Sequence, residues 1–238
     1  MARAPDQAAL FPSTHWTRVI AAQNDPALSA AVLGELVRPR WKPLYVLARK
    51  HQLSKEAAED AVQSFIERLL DSNEGLVARL DPKKGSLRSY LKTAFRHHLT
   101  NLHAHERAEK RGSGARVEDL AELEAVLASR EASPDQAFER AWAASVFAES
   151  LAALEAEFAA GARRGPFEVL RELFSFGDTA SYEELAKRHG MTVPQLKAFV
   201  HRAKLRFRAL FRDRVRRTLA EGDDVDAEVK RLLAEVTA

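Results

Sequence analysis

From Thr192 the chain reads TVPQLKAFVHRAKLRFRALFR, a segment in which bulky apolar and basic residues interrupt each other at almost every step. Wound as a helix at about 3.6 residues per turn, the mixture separates into faces. Leu196, Phe199, Val200, Ala203, Phe207, Leu210 and Phe211 gather on one stripe. Lys197, His201, Lys204, Arg208 and Arg212 follow one another along a flank, and Ala198 and Arg202 point outward nearby. The rings therefore belong to a core, and the cations to a surface. The rest of the chain is of the same kind: an aromatic share of only 8%, few glycines and recurrent Ala, Leu, Glu and Arg favour helices throughout. The expected fold class is all-α.

Two capping signatures frame this segment. In SYEELAKRHGM, Ser181 can cap a helix start and Glu184, three residues on, can answer it; Thr192 and Gln195 repeat the pattern. Two short capped helices meeting at a tight turn with Gly190 have the layout of a helix-turn-helix, over about 181–212, whose second helix enters the major groove. Base reading then falls to outward residues of the first turns, Gln195, Lys197, Ala198 and His201. Arg202 is better placed for phosphate, and Lys204 completes the set. The competing reading is an ordinary solvated basic face.

Formal net charge is only +3, but charge is sorted along the chain. From Lys83 to Arg111, eight basic residues face only Glu106 and Glu109; from Lys197 to Arg217 a second basic block is opposed by Asp213 alone. Glu118 to Glu139 is acidic, and so is Glu221 to Glu228. The first basic block contains SLRSYLKTAFRHHLTNLHAHER, which also resolves into two faces. Leu87, Tyr90, Leu91, Ala94, Phe95, His98 and Leu102 line one, and Arg88, Lys92, Arg96, His103 and Arg107 the other. This is a second candidate nucleic-acid surface. Its histidines are not a metal site, since no two stand at i and i+4 and no carboxylate completes a set. His98 falls on the apolar stripe and reads as a satisfied or half-buried core histidine. The preceding helix, KEAAEDAVQSFIERLL, buries Ala58, Val62, Phe65, Ile66, Leu69 and Leu70 and leaves Glu59, Asp60, Gln63 and Glu67 as an exposed acidic ridge, suited to a protein partner or to plain solvation.

Helices are expected over about 26–51, 55–71, 87–108, 135–160, 167–176 and 225–236, besides the pair around Gly190. Gly112 and Gly114 in a polar run, followed by acidic residues, mark a boundary. The expected architecture is two helical domains, 12–111 and 135–238, joined by a flexible acidic linker, 112–134. The second contains the helix-turn-helix and ends in an acidic helix. The chain lacks cysteine, which rules out a disulfide framework and a thiolate zinc site. The start, MARAPDQAALFPSTHW, lacks a signal-peptide core, and no run approaches the ~18 apolar residues of a membrane span, so the expectation is a cytoplasmic protein with no membrane partner. No phosphate-cradling glycine loop or nucleophile elbow is present, and neither an enzyme nor a cofactor is expected.

An acidic helix EAAEDAVQSFIERLL, a basic helix SLRSYLKTAFRHHLTN, a linker and the helix-turn-helix SYEELAKRHGMTVPQLKAFVHRAKLR, in this order, resemble the bacterial RNA polymerase sigma factors of the extracytoplasmic-function type. The resemblance spans roughly 41–111 and 138–214. It implies a factor that binds core RNA polymerase and directs promoter recognition and transcription initiation. Glu59, Asp60 and Gln63 would dock on the clamp helices of the largest subunit. Arg88, Lys92 and Arg96 would lie on the strand backbone of the proximal promoter element during melting, with His97, Asn101 and His103 in the same set. The loop from Ser72 to Ser86 would hold a flipped base, and the helix-turn-helix would read the distal element in duplex form while its domain docks on the flap tip. The chain departs from the family in carrying Arg96, His97 and Asn101 where relatives show Arg-Asn and, four residues on, Asp. Regulators that fit this reading are an anti-sigma factor, a kinase, or the chain's own acidic linker or tail screening its basic surfaces. The alternative is a stand-alone helix-turn-helix repressor or activator that binds operator DNA.

Overall fold

The computed structural model describes residues 31, 34, 37–70, 85–106, 133–160, 167–174, 181–220 and 222–237, the side chains of 70, 103–106, 160, 167, 173–174 and 237 excepted. Every regular element among them is helical. A 3-10 turn, Arg38–Arg40, leads into α1 (Trp41–Lys50), followed by α2 (Lys55–Leu70), α3 (Leu87–Glu106), α4 (Pro134–Ala160), α5 (Phe167–Phe174), α6 (Tyr182–Arg188), α7 (Val193–Arg216) and α8 (Val225–Thr237). The helix starts are set by polar caps. Ser54 Oγ accepts from Ala57 N at 3.2 Å, Ser86 Oγ from Ser89 N at 3.3 Å, and Asp224 Oδ1 from the amides of Asp226 and Ala227 at 2.9 and 3.1 Å. At α4, Ser133 and Gln136 exchange backbone-to-side-chain bonds of 3.2 and 3.0 Å, with Pro134 at the first helical position.

The helices cluster into two compact units, one of residues 1–145 with 216–238, the other of residues 146–215. In the first, α1, α2 and α3 pack on one another. Leu44, Tyr45, Val46, Leu47 and Ala48 are consecutive and all buried, so α1 is covered on every side there. Phe65 of α2 meets Phe95 of α3 edge to face at 5.0 Å, and Ala58, Ala61, Val62, Leu69, Leu87, Leu91 and Leu99 complete that layer. Ile66, expected in the core, is only half-buried. The first turns of α4 add Phe138 and Trp142, both fully buried, and the Arg40 guanidinium lies 4.9 Å from the Trp142 ring centroid. The backbone at Thr218 is fastened to the start of α3, where Leu87 N donates to Thr218 O at 3.0 Å, and α8 buries Leu232 completely.

In the second unit, α7 lays the expected stripe inward: Leu196, Phe199, Val200, Ala203, Phe207 and Phe211 are buried, joined by Val215, with Leu210 at the margin. Its rings are covered from α4, Phe147 standing 4.9 Å from Phe207 and Phe158 5.4 Å from Phe199. Arg206 forms a two-pronged pair with Glu157 at 2.7 and 2.6 Å. Residues 134–145 and 216–238 cluster with the first half of the chain, because Phe138, Trp142 and Leu232 complete its core. The expected linker, 112–134, falls outside the described residues up to Ser133.

Candidate nucleic-acid interface

Sharp local chemistry positions the turn before α7. Ser181 and Glu184 form a complete capping box at the start of α6. His189 and Gly190 make the turn, Gly190 at φ +63°, a left-handed conformation that a Cβ would strain. Met191 N returns to Ala186 O at 2.8 Å, and Thr192 and Gln195 then cap α7 reciprocally, at 3.3 and 2.9 Å. The Gln195 amide oxygen is thus committed to Thr192 N, which leaves its amide nitrogen as the group facing outward chemistry.

Every distal-set residue is exposed: Gln195, Lys197, Ala198, His201, Arg202 and Lys204, with Arg208 and Arg212 further along. The Lys197 ammonium lies 5.9 Å from the Tyr182 ring centroid, a contact that orients it over α6. Arg202, Lys204 and Arg208 hold no ion pair among the described residues. The face is therefore an array of solvated cations on a helix whose opposite side is locked by aromatic packing. Such an array can neutralise phosphates without rearranging any side chain of the core.

The face of α3 is different in kind. Arg88, Lys92 and Arg96 are on one side of the helix, as the periodicity predicts, but each is paired. Arg88 donates to Glu139 and also lies 3.4 Å from Glu228; Lys92 donates to Glu139 at 2.8 Å; Arg96 donates to Asp135. Arg231 of α8 closes the cluster, 3.3 Å from Glu139 and 2.9 Å from Glu228. Arg88, Glu139 and Glu228 retain about one-sixth or less of their side-chain exposure. Burial pushes the Glu228 carboxyl above the ordinary glutamate range, with Arg88 pulling it down and Glu139 and Asp223 pushing it further up. Glu139, Glu228 and Arg231 were not among the site residues expected from sequence; the acidic blocks around them were the available signal.

The remaining proximal residues lie elsewhere on α3. His97 and Asn101 are exposed and line an open groove of about 420 Å³ between α2 and α3, together with Phe65, Arg68, Tyr90 and His98. His98 is buried and satisfied, as expected of a core histidine. Arg68 approaches its Nδ1 at 3.1 Å and can only donate, so Nδ1 accepts and Nε2–H faces Ser64 Oγ at 3.0 Å, while Ser64 donates onward to Ala61 O at 3.2 Å. The side chains of His103 and Arg107 and the loop 71–84 lie outside the described residues. On α2, Asp60, Gln63 and Glu67 are exposed, and Gln63 donates to Glu67 at 3.0 Å. Glu59 is not on the crest of that ridge: it is half-buried, and its Oε1 is enclosed without a hydrogen-bond donor.

Among the described residues, no group of three or more His, Asp or Glu is placed to hold a metal ion, and no helix is long and apolar enough to cross a membrane. The chain matches no protein-family model, no curated protein and no solved structure.

Proposed function

We propose that this chain is a promoter-specificity factor of the sigma type, which binds core RNA polymerase and directs it to promoter DNA, with no chemistry of its own. The observation that carries the reading is the exposed basic face of α7, on which Arg202, Lys204 and Arg208 hold no ion pair among the described residues, presented behind two reciprocally capped helices and a left-handed glycine turn. In this reading α6 and α7 act as a helix-turn-helix. A helix about 10–12 Å across fits the major groove, Lys197, Ala198 and His201 face base edges, and Arg202 and Lys204 fix the register on phosphates. The exposed carboxylates of α2 supply what DNA binding does not need, a docking ridge for basic residues of a protein partner. The order of acidic helix, basic helix and capped helix pair along the sequence supports the same assignment. Clamp helices and flap tip are the polymerase surfaces this reading assigns to the two units.

The purified chain should co-elute with core RNA polymerase, and Asp60→Arg with Glu67→Arg should abolish co-elution while leaving the helical circular-dichroism signal intact. Glu59 is left in place because its half-buried carboxylate makes charge reversal there a folding test. Retained co-elution of the variant would remove the ridge from the interface, and absence of binding by folded wild type would overturn the sigma reading. One observation favours a second reading: Arg88, Lys92 and Arg96 are paired internally whereas Arg202, Lys204 and Arg208 of α7 are open to DNA, as in a stand-alone operator-binding repressor. Sequence-selective duplex binding by the free chain, without polymerase, would identify that case.

A further inference from the structure

We infer that the basic face of α3 is a latent nucleic-acid surface held closed by an internal carboxylate cover, of which α8 is the displaceable half. The inference rests on the reading of α3 as a nucleic-acid surface. Glu139 occupies both Arg88 and Lys92, Asp135 occupies Arg96, and Glu228 reaches Arg88 while its own helix anchors it through Arg231. Carboxylate oxygens thus stand where phosphate oxygens would be bound, since a guanidinium fork pairs with either in the same geometry.

The two halves of the cover are built differently. Asp135 and Glu139 ride on the turns of α4 that carry Phe138 and Trp142 into the core, and they cannot leave without it. Helix α8 follows Gly222, which sits at φ +90°, and among its described residues Leu232 is the one fully buried side chain. Arg140 approaches Glu235 at 3.9 Å. The Glu228 carboxylate is disfavoured by its own burial, so Arg88 does not fully compensate it, and exchanging it for a solvated polyanion is correspondingly easy. The contrast with α7, whose Arg202, Lys204 and Arg208 are exposed and hold no ion pair among the described residues, sets an order of engagement: α7 meets duplex DNA first, and α3 becomes available once α8 is displaced.

The test uses the free full-length chain and a short single-stranded DNA oligonucleotide, titrated over a range of salt concentrations. Glu139→Gln with Glu228→Gln should raise affinity about tenfold and steepen the log–log salt slope by about 0.7 for each phosphate newly engaged. Asp60→Asn with Glu67→Gln, which removes the same charge from α2, should not. Adding Arg88→Ala to the first pair should erase the gain. A gain equal to that of the α2 control, or one that survives loss of Arg88, overturns the inference. Amide exchange of the wild type supplies a measurement free of mutation: saturating oligonucleotide should accelerate exchange over Val225–Thr237 while α1 and α2 stay protected. Unchanged or slower exchange in α8 overturns the inference too. Neither measurement involves polymerase, so failure of the sigma reading would appear separately, as lost co-elution.

Discussion

At Glu228 burial and charge pull against each other. Its folded carboxyl lies above the ordinary 4.5, chiefly because burial removes water from the ionised form. The folded chain therefore binds more protons at this site than the unfolded one, and the stability it contributes is fully present below 4.5 and lost as pH rises through the folded value. Urea unfolding of Glu228→Gln should accordingly show a flatter stability profile from pH 4.5 toward neutrality than wild type, with the variant gaining relative to wild type as pH rises. A steeper profile in the variant would mean that Arg88 and Arg231 more than repay the burial. Glu157 has the opposite sign: its hydrogen bond from Arg206 holds it below the ordinary range, so that contribution is lost on acidification. Both partners are well exposed, and such a surface pair is worth at most about 1 kcal/mol.

At the scale of the element, α7 and α3 are both amphipathic basic helices, and they differ in what faces Arg202, Lys204 and Arg208 on the one and Arg88, Lys92 and Arg96 on the other. On α7 the outward residues meet solvent, so each cation that touches DNA should register as one phosphate contact. Lys204→Ala and Arg208→Ala should each weaken duplex binding at all sequences and reduce the log–log salt slope by about 0.9. Ala198→Glu is not an equivalent probe, because it adds repulsion to any change in base reading. If Lys204→Ala changed sequence preference and not the salt slope, the lysine would be reading bases and not phosphates. On α3 the corresponding cations are already paired, and single alanine substitutions there would strand the carboxylates of Glu139 or Asp135.

At the scale of the molecule, two helices contribute residues to both compact units, α4 through 134–145 and 146–160, and α7 with its continuation through 193–215 and 216–219. The described tryptophans, Trp41 and Trp142, belong to the first unit, so their fluorescence reports on that unit. Leu232→Ala, which empties the fully buried site of α8, should cost about 2–5 kcal/mol and lower the fluorescence-detected midpoint, while amide protection of α6 and the first turns of α7 is retained. Equal loss of protection in α6 and α7 would mean that the two units unfold as one.

Much of this was legible in the chain itself. The period of Leu196, Phe199, Val200, Ala203, Phe207 and Phe211 fixes which side of α7 is buried, because helical geometry alone decides that projection. The reciprocal caps at Ser181 and Thr192 follow from a three-residue spacing, and the Ser133 and Gln136 pair carries the same signature. Periodicity also places Arg88, Lys92 and Arg96 on one face of α3. It cannot say what that face meets, since Glu139 stands 51 positions from Arg88 along the chain and Glu228 lies farther still. Only tertiary packing brought those carboxylates onto the cations, drew Glu59 partly under cover, and moved the last helix into the core of the first unit. The physical reason is that local spacing determines which residues share a face, whereas the partner of a face is chosen by where the chain can bury residues such as Phe138, Trp142 and Leu232.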